Sequence, residues 1–116
     1  MKLKTLSIAM MGLAAPGLVA ADELLEMQKN DNNWVMPAGD YANTRYSELT
    51  QITKDNVKDL NMAWSFSTGV LRGHEGNALV MDGTMYVHTA FPNIVFALDL
   101  NNDGAIKWKY EPKQNY

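Results

Sequence analysis

Two histidines, one glutamate in a glycine-flanked run and a spaced set of Asp and Asn residues are the side chains that could do chemistry. His74 and His88 stand 14 positions apart with no third nitrogen or sulfur donor in the pattern, and the chain has no cysteine. Two imidazoles do not complete a zinc site, and hard cations prefer oxygen. Both histidines therefore read as structural or hydrogen-bonding residues. Asp99-x-Asn101-x-Asp103-Gly104 follows the first half of an EF-hand loop. That loop requires a bidentate Glu at its twelfth position, which here is Tyr110, with Glu111 one residue late. A polar turn fits better, since Asn and Asp tolerate positive φ. Glu75 lies between Gly73 and Gly76, glycines that let the backbone turn tightly close to a ligand. Taken alone, it is a solvated loop carboxylate. Trp34, Trp64 and Trp108 sit where strand spacing favours packing over electron relay or stacking roles.

The elements that must position these residues can be read from periodicity. Residues 22–33 are polar with Leu24, Leu25 and Met27 as a thin apolar stripe, enough for a short helix only. Gly39-Asp40 opens a loop through Ser47. Thr53 is an N-cap candidate before a short helical turn, with Ile52 and Val57 spaced as a hydrophobic staple around it. From Met62 the period becomes 2. Residues 63–68 alternate large apolar with small polar and predict a half-buried strand. Four further strands are predicted at 77–81, 84–89, 94–100 and 105–110. Asp82-Gly83 between the first two is a strong hairpin signal, Phe91-Pro92-Asn93 is a turn, and Pro112 ends the last strand. The block 77–110 thus predicts an all-β, four-stranded antiparallel meander, the form of one propeller blade. Trp64-Ser-Phe and Trp108-Lys-Tyr repeat a Trp-x-aromatic pattern at a spacing of 44, within the range of blade repeats.

The 116 residues carry 10 Lys+Arg against 13 Asp+Glu, which excludes a broad basic face for nucleic acid. The absence of cysteine excludes a disulfide scaffold, a thiolate metal site and a lipidated N-terminal cysteine for this chain. Residues 1–21 have the three parts of a signal peptide: Lys2 and Lys4, an uncharged apolar stretch, and Val19-Ala20-Ala21 before Asp22. The uncharged stretch, with Gly12, Pro16 and Gly17 in it, is short for a spanning helix. The expectation is export to a periplasm, with residues 22–116 as the mature part.

Beyond these local signals stands a run of motifs: Trp34, 39–47, Leu49-Thr-Gln-Ile52, Asn56-Val-Lys-Asp-Leu60 and Ala63-Trp-Ser-Phe-Ser-Thr-Gly69. Together they resemble the N-terminal signature of pyrroloquinoline-quinone (PQQ)-dependent alcohol dehydrogenases. Gly73-His-Glu-Gly76, Tyr86-Val-His-Thr89 and Phe91-Pro-Asn93 look like the methanol dehydrogenase branch. Leu71–Gly76 with Leu98–Gly104 is similar to its lanthanide-using members. The resemblance covers residues 30–115.

The resemblance implies an eight-bladed β-propeller of which residues 22–116 are the N-terminal segment and about one blade, the chain ending without a closing element. It implies tryptophan-docking motifs, matched here by Ala97, Asp99, Gly104 and Trp108 with one extra residue between Asp99 and Gly104. It implies oxidation of methanol or other primary alcohols, with hydride transfer to PQQ assisted by calcium or a lanthanide ion. Electrons would pass to a soluble cytochrome c, from a homodimer or a complex with a small subunit. Glu75 is the one cofactor-binding residue carried over, as a hydrogen-bonding partner of the quinone's carboxylate end. The catalytic aspartate, the metal ligands and a vicinal disulfide are expected beyond residue 116, so this segment alone should be inactive. The rival reading is a non-catalytic propeller acting as a scaffold or binding module; assembly lipoproteins of that kind are anchored through a cysteine that this chain lacks. A free-standing calcium-binding module is disfavoured by the failed EF-hand spacing. Sequencing the exported protein by mass spectrometry should find an N-terminus at Asp22 or one residue either side. Retention of Met1 would refute the signal-peptide reading.

Overall fold

The computed structural model of the chain describes residues 23–114. The signal peptide expected at residues 1–21 lies outside the described residues. A helical turn spans 23–27 and a 3-10 turn spans Val57–Asp59. Four strands follow: β1 (Leu79–Met81), β2 (Thr84–His88), β3 (Val95–Asp99) and β4 (Ala105–Tyr110). They form one antiparallel sheet in the order β1-β2-β3-β4. This is the predicted meander, with β1 shorter by two residues and β2 by one at a single end, and β3 by one residue at each end.

The connections follow from their residues. Asp82 and Gly83 take φ of 48° and 69°, the paired positive values that a two-residue type I′ hairpin needs. Asn33, 8% exposed, accepts the Asp82 N–H at 3.0 Å and so fixes that turn to the N-terminal segment. At the β3–β4 turn the Asp99 carboxylate accepts the Asn101 N–H at 3.0 Å and its carbonyl accepts the Gly104 N–H at 2.9 Å. The turn joins two strands and uses its acidic group internally, as the polar-turn reading requires. Asp99 pairs with Ala105 and Leu98 with Ile106, but Ala97 pairs with Trp108. Lys107 is therefore the extra residue of a β-bulge. Without that slip Trp108 would oppose Phe96 and lie on the other face of the sheet.

One face of the sheet buries Ile94, Phe96 and Leu98, and Met85 and Val87 join them. Trp64, Phe66 and Val70 cover this face, with Phe66 edge-on to Phe96 at 5.0 Å between centroids. The predicted strand at 63–68 is therefore corrected. Its period-2 burial is present, but it makes no ladder among the described residues and packs across the face of the sheet as an unpaired segment. Alternation reports which side of an extended chain is buried. It does not report whether a neighbouring strand supplies hydrogen bonds. The opposite face carries Tyr86, Ala97, Trp108 and Tyr110. Tyr86 and Trp108 rings lie 5.9 Å apart, and Trp108 remains 48% exposed.

Two further local expectations have mixed outcomes. Thr53 Oγ1 accepts the Asn56 N–H at 3.4 Å while Asn56 Oδ1 accepts the Thr53 N–H at 2.7 Å. These reciprocal bonds shape the turn that precedes the 3-10 turn, whose own N-cap is Asn56 with no side-chain capping bond, so the expectation of Thr53 as its N-cap is corrected. The staple proposed beside it is not supported, because Ile52 and Val57 are both exposed. Trp34 pairs with Val80 through two backbone hydrogen bonds, 2.8 and 2.9 Å. It thereby protects the free edge of β1, a contact that periodicity did not indicate.

The Trp64 indole lies flat on Gly104. A Cβ built there would stand 2.6 Å from Cζ3 and 2.7 Å from Cε3. Gly104 also has φ +73°, so a side chain would be strained as well as obstructed. Gly104→Ala should lower unfolding free energy by about 2 kcal/mol or more, from overpacking together with backbone strain. Denaturant titration checks this; a loss below about 0.5 kcal/mol would mean that the stack does not constrain the sheet.

Candidate functional site

Glu75 lies in a segment, residues 69–76, that leaves the covered face of the sheet after Val70. Internal bonds shape this segment. The Arg72 carbonyl can only accept, so His74 Nδ1–H donates to it at 2.8 Å, leaving Nε2 facing the Thr68 hydroxyl at 3.4 Å. The Arg72 guanidinium sits 5.4 Å from the centroid of the Phe91 ring, a cation–π contact to the β2–β3 connection. His74 thus has the hydrogen-bonding role expected for it.

The β2–β3 connection is a rigid corner. Thr89, 1% exposed, donates its hydroxyl to the Ala90 carbonyl at 2.6 Å and accepts the Ile94 N–H at 3.0 Å. The backbone closes the same loop, with Thr89 N–H on the Ile94 carbonyl at 2.8 Å and Asn93 N–H on the Ala90 carbonyl at 2.9 Å. Between this corner and the 73–76 segment lies an open cleft of about 400 Å³, lined by Gly73, Glu75, Gly76, His88 and Asn93 among others.

The two glycines beside Glu75 act differently from the expectation that they allow a tight turn. Neither has a positive φ. A Cβ on Gly73 would meet nothing within 4 Å, so neither backbone conformation nor crowding among the described residues requires glycine at this exposed position. A Cβ on Gly76 would collide with the His88 ring, 1.9 Å from Nε2. Glu75 and His88 therefore share one cleft although they are 13 positions apart. The sequence held no sign of this pairing, because strand alternation places His88 on a face without saying which loop meets it.

Glu75 is the carboxylate among the residues lining this cleft, and an ionised carboxylate there can accept hydrogen bonds from a ligand's donor groups. A metal ion does not fit in the same way. Among the described residues no three His, Cys, Asp or Glu side chains come together to hold one.

A second cleft, about 390 Å³, lies in the N-terminal segment beside Trp34, Gly39, Asp40 and Glu48. Asp40 organises its loop. The Thr44 hydroxyl donates to one carboxylate oxygen and the Thr44 N–H to the other at 3.0 Å. The hydroxyl bond first, then the Thr44 amide, holds the Asp40 carboxyl below its ordinary range, with the Asn43 and Ala42 amides assisting. Because its folded value is depressed, Asp40 favours the folded loop above the ordinary carboxylate value. That contribution is lost as pH falls through the lowered folded value.

Comparison with known proteins places these features in a wider set. The family model described as glucose/ethanol/alcohol dehydrogenase, β-propeller domain, of the PQQ type matches residues 34–116. Methanol dehydrogenase [cytochrome c] subunit 1 of Methylobacterium organophilum is 55% identical over 113 residues, covering 94% of this chain and 18% of that protein. The lanthanide-dependent methanol dehydrogenase of Methylacidiphilum fumariolicum (strain SolV) is 57% identical over 111 residues, covering 89% of this chain and 18% of that protein. The solved structure of a europium-containing methanol dehydrogenase superposes with a TM-score of 0.77 at 60% identity, over 81% of this chain and 16% of the other. The chain thus spans less than a fifth of the length of these relatives.

Thr44→Ala should raise the Asp40 titration midpoint toward the ordinary carboxylate value, read by carboxyl-carbon NMR. An unchanged midpoint would mean that the Thr44 bonds do not hold the ionised form.

Proposed function

The chain belongs to the PQQ glucose/ethanol/alcohol dehydrogenase β-propeller family, and from that premise we propose that it is the N-terminal part of a longer quinoprotein oxidising methanol or another primary alcohol. The names of its relatives support the substrate class. Their greater length supports the view that residues 22–116 are one portion of a larger ring. The single observation that carries a role for this segment is that Glu75 lines the open cleft against the β2–β3 corner together with Gly73, Gly76 and His88.

When bound, the quinone supplies the two-electron acceptor for the alcohol's hydride. This chain contributes binding and orientation. Glu75 accepts a hydrogen bond from the polar edge of the ring system in the open cleft that it lines with Gly73. His74 keeps the loop in shape through the Arg72 carbonyl. The residues described here do not supply a metal site, so no step is drawn through the calcium or lanthanide ion that the family uses. In this reading its ligands and the catalytic base belong to other parts of the longer protein. A soluble cytochrome c is the proposed electron acceptor, in keeping with the name of a relative, and a homodimer or small-subunit complex is the proposed assembly. The periplasm is the proposed location, resting on the signal-like residues 1–21.

Replacing Glu75 by Ala in the full-length enzyme should lower quinone affinity about tenfold or more, the scale of losing a hydrogen bond to a charged group. Titration of quinone-free protein with PQQ, followed by absorbance, reads this directly. Unchanged affinity with unchanged turnover would remove Glu75 from the site.

A further inference from the structure

We propose that His88 is a positioning residue for Glu75, its imidazole forming the platform on which the Gly76 backbone rests. The proposal depends on the reading of Glu75 as a quinone contact. Three ring atoms face the missing side chain of Gly76: Nε2 at 1.9 Å, Cε1 at 2.3 Å and Cδ2 at 2.8 Å from an ideal Cβ. Backbone conformation does not require glycine there, since the φ of Gly76 is outside the positive region. Space for the ring is the reason that glycine fits.

The two sides of this contact differ in rigidity. His88 is the last residue of β2, pairs with Val95, and precedes the fully buried Thr89 whose side chain ties the corner together. Its backbone is therefore fixed by the sheet. Residues 71–76 have no strand partner among the described residues, the bonds of His74 are internal to residues 68–74, and the tie of this loop to the corner is the side-chain contact of Arg72 with Phe91. The ring of His88 thus meets the loop one residue from Glu75 and transmits the position of the sheet to the carboxylate. Removing the ring lets the loop settle toward the corner. Adding a methyl group at residue 76 pushes the ring aside into the cleft shared with Glu75. Both changes misplace a binding group, and small misplacements of a positioned group are costly.

The contact can be tested by reciprocal rescue in the full-length enzyme, using PQQ affinity of the quinone-free protein as the readout. His88→Ala and Gly76→Ala should each weaken PQQ binding by about fivefold or more. The double variant should bind several-fold better than Gly76→Ala alone, because the obstructing ring is gone. His88→Phe should retain most of the affinity, because the platform acts through shape. Additive losses in the double variant, or wild-type affinity in His88→Ala, would overturn the proposal. A His88→Phe variant as weak as His88→Ala would overturn it as well. Glu75→Ala run in parallel separates the two levels. If Glu75→Ala weakens binding and the His88 and Gly76 variants do not, only the platform fails. If Glu75→Ala has no effect, the underlying reading fails.

Discussion

The stack of the Trp64 indole on Gly104 is the contact on which the rest of the arrangement depends. Among the described residues, 63–70 have no hydrogen-bonded neighbour strand, so their place against the sheet rests on side-chain packing. Trp64 holds one end at the β3–β4 turn, where a glycine with φ +73° leaves room for a flat ring. Phe66 continues the contact edge-on to Phe96, and Val70 closes it against the same cluster. Trp64, Phe66 and Val70 are half-buried against the cluster, so each contributes part of the stabilisation that full burial of an apolar side chain would give. A second Trp–Gly contact of the same kind occurs at the N-terminal side. The Trp34 ring lies about 3 Å from a Cβ built on Gly39, and Trp34 itself is hydrogen-bonded to the β1 edge.

Once residues 63–70 are placed, the following loop emerges at a defined point beside the β2–β3 corner. The corner is fixed by the Thr89 hydroxyl, and the loop by His74 and by the Arg72–Phe91 contact. A carboxylate on a loop thereby gains a position relative to a sheet. The chain of causes runs from glycine shape, to aromatic packing, to the course of the loop, to the location of Glu75. The other face of the sheet presents Tyr86, Trp108 and Tyr110, and the β-bulge at Lys107 is what puts Trp108 there. The repeated Trp-x-aromatic pattern has different surroundings at its two copies. Trp64 is packed on a glycine of this chain, while Trp108 stands half-exposed beside Tyr86.

Much of the sheet was readable because its signals are local. Asp82-Gly83 requires two positive φ values, and the alternating runs on either side tolerate only one register around it. The polar turn at 99–104 was readable for the same reason, whereas the helical turn begins three residues later than the Thr53 cap implied, with Asn56 as its N-cap. The failures are equally physical. Residues 63–68 have a strand's pattern without a strand's partners among the described residues, and pattern alone cannot separate the two. The staple of Ile52 and Val57 had the right spacing, yet both side chains remain in solvent. At the site, the Gly-His-Glu-Gly run marked Glu75 through its family resemblance. The reason for its glycines was not readable, since one faces open space and the other faces a ring 12 residues downstream.

The central claim is that Glu75 meets the quinone, and a crystal structure of the full-length, quinone-loaded enzyme tests it most directly. The account predicts the Glu75 carboxylate within about 2.5–3.2 Å of a polar atom of the quinone, with the His88 ring still against Gly76. A quinone bound elsewhere, with Glu75 turned to solvent and a gap wider than one bridging water, would contradict it.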